Sequence, residues 1–385
     1  MNNFEFQSVP HIISHTGAAN QLGETITLHY PTAKHVLLVT DAGFLKTGLL
    51  QAAIDNIRAQ HLEVSLFSEV VADPPEAIVL QAVAQAKKQG IDLVVGFGGG
   101  SSMDVAKLIA ILAGTDQALG SMYGIGKVTG QRLPLIQIPT TAGTGSEVTP
   151  IAIVTTGATS KMGVVAPQLY ADIAILDAQL TLGLPSAVSA ATGIDAMVHA
   201  IEAYTTKHKK NPLSDMLATQ ALKLLWSNIR IVCSEPQNLS ARQSMLLGAL
   251  LAGQAFANAP CAAVHALAYP IGGIFHVPHG LSNSLVLPPV LRFNAPEAHH
   301  QYAELADIIA PHERGSSQAK STAFIAALEQ LASELGIATR LQHVGISKDD
   351  LDRLATDAML QTRLLGNNPR EVTWQHARNI YAEVL

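Results

Sequence analysis

Four polar side chains in the second half of the sequence have the types and the spacing of metal ligands. Asp195 and His199 lie four residues apart in "TGIDAMVHAIEAY", so a helix would place both on one face. His265 and His279 lie in "HALAYPIGGIFHVPHG", where a chain reversal after the Gly-Gly pair would bring them together. One carboxylate and three imidazoles suit Zn²⁺ or Fe²⁺ and leave a coordination position open.

A purely structural explanation of these residues is also open at this stage. The side chains around Asp195 and His199 are apolar, which predicts a buried helix. Two buried polar groups one turn apart can satisfy each other with a hydrogen bond. We interpret Glu202, on the same predicted helix, as a structural polar group. Cys261 lies one helical turn before His265 and is interpreted as core packing.

A glycine-rich turn in the first half has the composition of a phosphate-binding loop. The stretch "GFGGGSSMD" ends a predicted strand and includes Gly99, Gly100, Ser101 and Asp104. Consecutive glycines allow backbone N–H groups to approach a phosphate, and the start of the next helix adds donors and a positive dipole end. The spacing is neither G-x-G-x-x-G nor that of a P-loop, so a tight strand-to-helix turn without a ligand is the alternative.

Two further features at predicted strand ends indicate a ligand with more than one phosphate or sugar. The loop "PTTAGTGSE" offers the hydroxyl groups of Thr140, Thr141 and Thr144 together with backbone at its glycines. Asp41 follows the early strand "HVLLVT". A carboxylate there accepts from a ribose 2′-hydroxyl and repels a 2′-phosphate, which favours NAD over NADP. An ordinary helix N-cap is the alternative explanation of Asp41.

The pattern of elements predicts two domains. In the first half, β-rich runs such as 35–40 alternate with helical stretches such as 76–90, which is typical of a parallel, helix-covered sheet. Strand-like runs nearly vanish after Leu184-Pro185. We therefore expect a Rossmann-like α/β domain over residues 1–184 and an all-helical domain over residues 185–385. The predicted helical segments of the second domain are 188–206, 212–232, 240–257, 261–274, 298–310, 317–336, 348–361 and 371–384.

Composition argues against several classes of protein. Hydrophobic residues make up 48% of the 385 residues and charged residues 14%, so we expect a large core and further burial in a homodimer or larger homo-oligomer. The net charge of −6 and the lack of a Lys/Arg stripe argue against nucleic acid as a partner. We see no secretory signal and no apolar run of about 18 residues, so we expect no membrane span. Two cysteines fit a reducing cytoplasm.

Taken in order, these motifs resemble those of the iron-containing (group III) alcohol dehydrogenases. The similarity runs from "GGGSSMD" and "PTTAGTGSE" through "GIDAMVHAIEAY" to "HALAYPIGGIFHVPHG" and "GNNPR", and it covers nearly the whole chain. It implies the dehydroquinate synthase-like fold of this family, with an α/β dinucleotide domain, a helical domain and an active site in the cleft between them. It also implies that Asp195, His199, His265 and His279 hold one Fe²⁺ or Zn²⁺.

The resemblance implies an NAD-dependent enzyme that interconverts alcohols with aldehydes or ketones. A hydride would pass between the nicotinamide C4 and the carbon of an alcohol whose oxygen is bound to the metal. Phe256 matches an aromatic residue that lines the alcohol pocket in the family, and Leu364, near "GNNPR", adds to an apolar pocket. The positions expected along the NAD are Asp41, Asp73, Gly99, Gly100, Ser101, Asp104, Thr140, Thr141, Thr144, Lys161 and Leu180.

Two positions depart from the family pattern. Many members carry a further histidine four residues after the third metal ligand, and this chain has Tyr269 there. One interpretation of His276, three residues before the last ligand, is that it shares that polar role with Tyr269 and helps pass the proton to water. The alternative is a histidine at the surface or hydrogen-bonded around the ligands. Asp73 stands where the family has an asparagine beside the cofactor, a change that would weaken the pyrophosphate contact or leave it unaltered.

Two other functions are alternatives to the dehydrogenase. A metal-dependent lyase of the dehydroquinate synthase type would need a cluster of lysines and arginines for an acidic phosphate substrate. The segments around Asp195, His265 and His279 carry almost none. A non-catalytic nucleotide-binding protein with a structural metal would bind NAD and turn over no alcohol. The apolar pocket favours a small or medium alcohol as the substrate.

Overall fold

The computed structural model of the chain describes residues 3–157 and 160–385. The chain divides into two compact units. One unit is Ser8–Gly183, and the other is Leu184–Leu385 together with the N-terminal segment up to Gln7. That segment is tied to the second unit because the backbone of Gln7 exchanges two hydrogen bonds with the side chain of Asn258, at 2.7 and 2.8 Å.

The first unit is an α/β unit. Its strands are β1 (His11–Ser14), β2 (His35–Asp41), β3 (Glu63–Val70), β4 (Leu93–Gly98), β5 (Gly124–Ile125), β6 (Leu135–Pro139), β7 (Ile151–Thr156), β8 (Ser160–Val165) and β9 (Ile173–Leu176). Its α-helices are α1 (Leu22–His29), α2 (Ala42–Leu45), α3 (Leu50–Ala59), α4 (Glu76–Gln89) and α5 (Gly100–Ala113). Short 3₁₀ helices lie at Ala18–Gln21, Leu119–Ser121, Ser146–Val148, Pro167–Leu169 and Ala178–Thr181.

Six of these strands form one parallel sheet in the order β1-β9-β6-β4-β2-β3. Every residue of β4 is buried, and so are the five central residues of β2. Strands covered by helices on both faces are apolar throughout rather than alternating, which explains the continuous apolar runs in the sequence. The predicted parallel, helix-covered sheet is therefore confirmed. A second sheet, β5-β8-β7, was not predicted from the sequence.

The second unit is helical. Its α-helices are α6 (Ser186–Thr205), α7 (Pro212–Ser234), α8 (Leu239–Asn258), α9 (Ala263–Phe275), α10 (His279–Ile309), α11 (Ser317–Glu334), α12 (Leu351–Ala358), α13 (Thr362–Leu365) and α14 (Trp374–Glu383). Two 3₁₀ helices lie at Leu341–Val344 and Lys348–Asp350. No single helix in the described ranges is long and apolar enough to cross a membrane. Helices α8 and α9 reach that length and apolarity only when taken together, and they are bent by 108° at the break between them.

The structure corrects the predicted course of the chain between α9 and α10. The Gly-Gly pair lies inside α9, and the turn comes later, at His276, which has the left-handed φ of 56°. His279 is the first residue of α10 and not part of a loop. The sequence prediction began this helix only at 298. Pro288, Pro289 and Pro296 lie inside α10, and proline normally disrupts a helix interior. Here the segment from Ser282 to Leu291 is buried, so packing outweighs that cost.

Arg132 and Asp172 join the starts of β6 and β9. The guanidinium of Arg132 donates to both carboxylate oxygens of Asp172, at 2.6 and 2.8 Å, and to the backbone carbonyls of Gln168 and Tyr170. The backbone N–H of Leu135 donates to Asp172 as well. Burial alone would raise the pKa of Asp172, but the hydrogen bonds and charge of Arg132 outweigh it, so this pKa lies below the ordinary 3.8.

We predict that Asp172→Asn destabilises the protein in a pH-dependent way. The pKa of Asp172 is lower in the folded protein than in the unfolded chain, so its charged form stabilises the fold at pH values above the unfolded-state pKa. This stabilisation is lost as the pH falls through the folded-state pKa. At pH 7 the free energy of unfolding should fall by about 1–2 kcal/mol. This figure already allows for solvent screening, because the carboxylate is 35% exposed. Thermal unfolding midpoints at pH 7, 5 and 3.5 measure it, and the gap to wild type should narrow at the lowest pH.

The matched control for this prediction is Glu63→Gln. The Glu63 carboxylate is 81% exposed and lies 3.6 Å from His35, so its loss should cost less than about 0.5 kcal/mol. A gap between Asp172→Asn and wild type that stayed constant over this pH range would contradict the assignment to charge pairing.

Candidate metal centre and cofactor loops

One face of α6 carries three buried ionisable side chains. Asp195, His199 and Glu202 lie at spacings of four and three residues, so they form a single stripe along the helix. All three are nearly excluded from solvent. Groups of this kind are retained in a protein interior only when a partner or a metal compensates their burial.

Four side chains from three helices converge at this stripe. One ligating atom each of Asp195, His199, His265 and His279 lies within 4.8 Å of the others. Asp195 Oδ1 is 3.6 Å from Nε2 of His279 and 3.9 Å from Nε2 of His265. The rings of His199 and His265 stack with centroids 4.7 Å apart. The structure thus brings together the four residues that the sequence indicated as ligands.

The donor set of the cluster suits a divalent cation. Burial alone would raise the pKa of the Asp195 carboxyl, but the charges of His279, His199 and His265 outweigh burial and hold this pKa below its ordinary value. A buried carboxylate facing imidazole nitrogens is a donor set of one oxygen and three nitrogens. That set fits Fe²⁺ or Zn²⁺, the ions that bind imidazole and carboxylate together.

Asn283 is a fifth member of the cluster that the sequence analysis missed. Its amide Nδ2 donates to Asp195 Oδ1 at 2.5 Å and lies 3.3 Å from Nε2 of both His265 and His279. The residue is completely buried. Its position four residues after His279 on α10 was the available signal, and it was hidden because α10 was not predicted to begin at His279.

Glu202 is bound to the cluster from the opposite side of His265. Its Oε2 lies 2.6 Å from His265 Nδ1, and its Oε1 accepts from the backbone N–H of Val264 at 2.7 Å. Burial lowers the pKa of His265, but Cys261 and Glu202 outweigh burial, so this pKa is raised well above 6.5. Glu202 therefore contacts one of the four predicted ligands directly, beyond the structural role expected from the sequence.

The predicted pocket residues differ in how close they lie to the ligands. The ring of Phe256 stacks on His199 with centroids 4.3 Å apart, and the ring of Tyr269 lies 6.0 Å from that of His279. Leu364 is buried in α13. His276 is exposed at the end of α9 and is not one of the four clustered side chains in the described ranges.

In the α/β unit, the predicted cofactor loops meet at one edge of the sheet. Strands β2, β4 and β6 are neighbours and parallel, so their carboxyl ends lie side by side, as in dinucleotide-binding sheets. A Cβ added to Gly100 would lie 2.7 Å from Thr144, and one added to Gly99 would lie 3.6 Å from Thr141. The glycines therefore allow the two loops to pack against each other.

The first turn of α5 has the features of an anion site. Its N-cap residue is Gly99, which has no side chain to accept hydrogen bonds from the first backbone N–H groups of the helix. Ser101 is half-buried on the first turn, and Thr140 is joined to the neighbouring strand by a backbone hydrogen bond to Gly98. These groups suit a phosphate at the helix N-terminus.

Asp41 and Asp104 both make protein contacts. Asp41 caps α2, with Oδ1 accepting from the backbone N–H of Phe44 at 2.8 Å. Asp104 accepts from Ser146 Oγ at 2.6 Å through Oδ1 and from the Ile153 N–H at 2.9 Å through Oδ2. Both oxygens of Asp104 thus bind protein donors.

A buried lysine lies under these loops. Lys107 is fully buried and donates to Ser146 Oγ, Thr149 Oγ1 and the carbonyl of Ile151. Burial lowers its pKa, opposed by the charge of Asp104. Burial raises the pKa of the neighbouring Glu147 to about 7.

The remaining predicted cofactor residues lie elsewhere in the α/β unit. Lys161, on β8, donates to the Asp73 carboxylate at 2.6 Å, and Asp73 has a left-handed φ of 51°. Thr155 fixes the same loop by donating to the carbonyl of Asp73. Leu180 belongs to the hydrophobic core of the unit.

Comparison with known proteins identifies the family. Residues 10–178 match the family described as iron-containing alcohol dehydrogenase, and residues 189–385 match the C-terminal part of the Fe-containing alcohol dehydrogenase family. The chain belongs to the iron-containing alcohol dehydrogenase family. The resemblance inferred from the motifs is therefore confirmed.

Relatives of this alcohol dehydrogenase align along most of its length. Long-chain-alcohol dehydrogenase 1 of Geobacillus thermodenitrificans (strain NG80-2) is 39% identical over 91% of this chain and 89% of its own. The NAD-dependent methanol dehydrogenase of Bacillus methanolicus is 33% identical over 96% of both chains. The crystal structure of a 1,3-propanediol oxidoreductase is similar with a TM-score of 0.96 and 33% identity, covering 100% of both chains.

The function class follows from the family and these relatives. The chain is an oxidoreductase that interconverts alcohols with aldehydes or ketones, and the family is associated with iron and an NAD-type cofactor. The dehydrogenase prediction is confirmed at this level. Neither the lyase nor the non-catalytic alternative is favoured by any of these relatives.

We predict that Asp195→Ala lowers the affinity of the apoprotein for Zn²⁺ by more than about 100-fold. The variant removes the single carboxylate of the cluster, a larger loss than the 10–100-fold typical of outer hydrogen-bond partners. Competition with a chromophoric chelator measures the dissociation constant. The control is His276→Asn, since asparagine tolerates a left-handed backbone, and it should bind Zn²⁺ as wild type does. Normal binding by Asp195→Ala would refute the ligand assignment.

Proposed function

We propose that this alcohol dehydrogenase uses one Fe²⁺ or Zn²⁺, held by Asp195, His199, His265 and His279, to act on a small or medium alcohol with NAD. The observation that carries the proposal is the buried convergence of these four ligating atoms within 4.8 Å. When bound, the metal would supply Lewis-acid polarisation of the alcohol or carbonyl oxygen.

The protein groups around the ligands support an apolar substrate. Phe256 stacks on His199 and offers an aromatic wall beside the ligand set. Leu364 is the other apolar residue that we assign to the pocket. The names of the relatives include alcohols as different as methanol and long-chain alcohols. We therefore propose that local differences in the pocket set the chain length of the preferred alcohol, which the alcohol panel described below measures.

NAD is proposed to bind at the carboxyl edge of the parallel sheet. The open N-terminus of α5, from Gly99 to Ser101, and the hydroxyls of Thr140, Thr141 and Thr144 would bind the pyrophosphate and ribose oxygens. Asp41 would accept from the adenosine ribose. Lys161 with Asp73, and Leu180, are proposed to border the same ligand, whereas Asp104 would act by holding the loops.

Tyr269 and His276 are proposed to carry the released proton to water. Tyr269 is supported by the 6.0 Å between its ring and that of the ligand His279. His276 is supported by its exposure at the end of α9, where it can exchange protons with solvent. Tyr269 lies within α9, and His276 lies at the turn between α9 and His279.

The setting of the enzyme is a further proposal. Both cysteines of the described chain are free thiols, which suits the reducing cytoplasm. The high apolar content favours a homodimer or larger homo-oligomer.

The test of the function is reconstitution of the chelated enzyme. After anaerobic purification and chelation, we expect no NADH formation with any alcohol, and recovery on adding Fe²⁺ or Zn²⁺. In a panel of alcohols, diols and polyols, apolar primary or secondary alcohols should be oxidised best. Equal NADH formation without metal would reject the proposed role of the four ligands.

A second prediction concerns the choice of cofactor. Asp41→Ser should raise kcat/KM for NADP relative to NAD by about 10-fold or more, because it removes the charge that repels a 2′-phosphate. Serine also caps helices, so the hydrogen bond to Phe44 can be retained. The control is Asp55→Asn on the exposed face of α3, which should leave the ratio unchanged. An unaltered ratio in Asp41→Ser would show that Asp41 is only a helix cap.

A further inference from the structure

Glu202 has both carboxylate oxygens engaged by the start of α9. Oε2 lies 2.6 Å from His265 Nδ1, and Oε1 accepts from the backbone N–H of Val264 at 2.7 Å. That N–H belongs to the first turn of α9, where backbone donors lack partners within the helix. The N-cap residue Ala262 supplies no side-chain cap. Glu202 therefore caps α9 and contacts a metal ligand with the same carboxylate.

The contact with Nδ1 determines what the other nitrogen of His265 can do. When Nδ1 carries the proton that the carboxylate accepts, Nε2 keeps its lone pair, and Nε2 is the nitrogen near Asp195 and Asn283. A carboxylate on the far side of a ligating imidazole fixes its tautomer and orientation and makes it a stronger ligand. Glu202 is 3% exposed, so water screens this interaction little.

We propose that Glu202 is a positioning residue of the metal centre. It holds the His265 ring in the orientation and tautomer that direct Nε2 to the metal, and it does so from α6, the helix that supplies Asp195 and His199. The inference rests on the metal site of the proposed function and assigns to Glu202 a role in metal affinity. The residue acts through His265 and does not itself bind the metal.

The neighbouring thiol offers a competing explanation. Glu202, Cys261 and His265 also place one possible ligating atom each within 4.8 Å of one another, so a second ion could in principle bind there. That would require His265 to lose the proton on Nδ1 and Glu202 to give up its contacts with α9. The geometry points to the hydrogen-bonded arrangement, with one ion for each chain.

The experiment measures Zn²⁺ and Co²⁺ binding to the apoprotein. In Glu202→Gln we expect Zn²⁺ affinity, measured by chelator competition, to fall 10–100-fold. The visible absorption of bound Co²⁺ should also shift, since the orientation of one imidazole changes. Wild type should bind one Zn²⁺ for each chain. Unchanged affinity and an unchanged Co²⁺ spectrum in the variant would overturn the proposal, as would a second equivalent of Zn²⁺ lost on mutation of Cys261.

Two controls separate positioning from general damage to the core. Cys261→Ala alters the other neighbour of His265 and should leave Zn²⁺ affinity within about twofold of wild type. A loss of affinity as large as that of Glu202→Gln would show that both variants act by disturbing the packing around His265. If Glu202→Gln fails to fold, Glu202→Asp retains the charge near α9 but shortens the reach, and it should show the same loss of affinity. Wild type that binds no metal would reject the proposed function itself, a result distinct from failure of the Glu202 role.

Discussion

The cluster of Asp195 and the three histidines depends on the burial of one carboxylate. Asp195 lies in the interior of α6, almost completely excluded from water, where an isolated ionised carboxylate would cost several kcal/mol. One imidazole each from α6, α9 and α10 and the amide of Asn283 surround it. Because these groups must reach one oxygen atom, they constrain how the three helices pack, and a divalent ion at their centre would compensate the remaining charge.

The α/β unit contains a buried lysine. Lys107 is fully buried on α5, and its Nζ donates to Ser146 Oγ, Thr149 Oγ1 and the carbonyl of Ile151. Since α5 begins at the glycine loop and Ser146 lies in the threonine loop, these contacts connect the two loops. A ligand that spanned both loops would need their separation to be constant.

Spacing within one helix was readable from the sequence, whereas partners across helices were not. Asp195 and His199 are four residues apart and so share a helix face, and the apolar residues around them predicted a buried helix. Glu202 continues the same stripe, but its partner His265 is 63 residues away, a pairing that no local pattern reveals. The parallel sheet was predictable because its strands are apolar throughout. The small second sheet was not, since β5 has only two residues and β8 has a single buried residue, Val164, among exposed and half-buried ones.

The turn before α10 shows why the remaining details required the structure. Three prolines in the sequence argue against a helix there, yet burial maintains it, and this places His279 on the first turn. Its side chain is 32% exposed, against 4% for His265 and 2% for Asp195. The ligand set is therefore accessible to solvent on the side of His279. The ring of Tyr269 lies near that side, 6.0 Å from the His279 ring, so the residue that departs from the family pattern is beside the accessible part of the cluster.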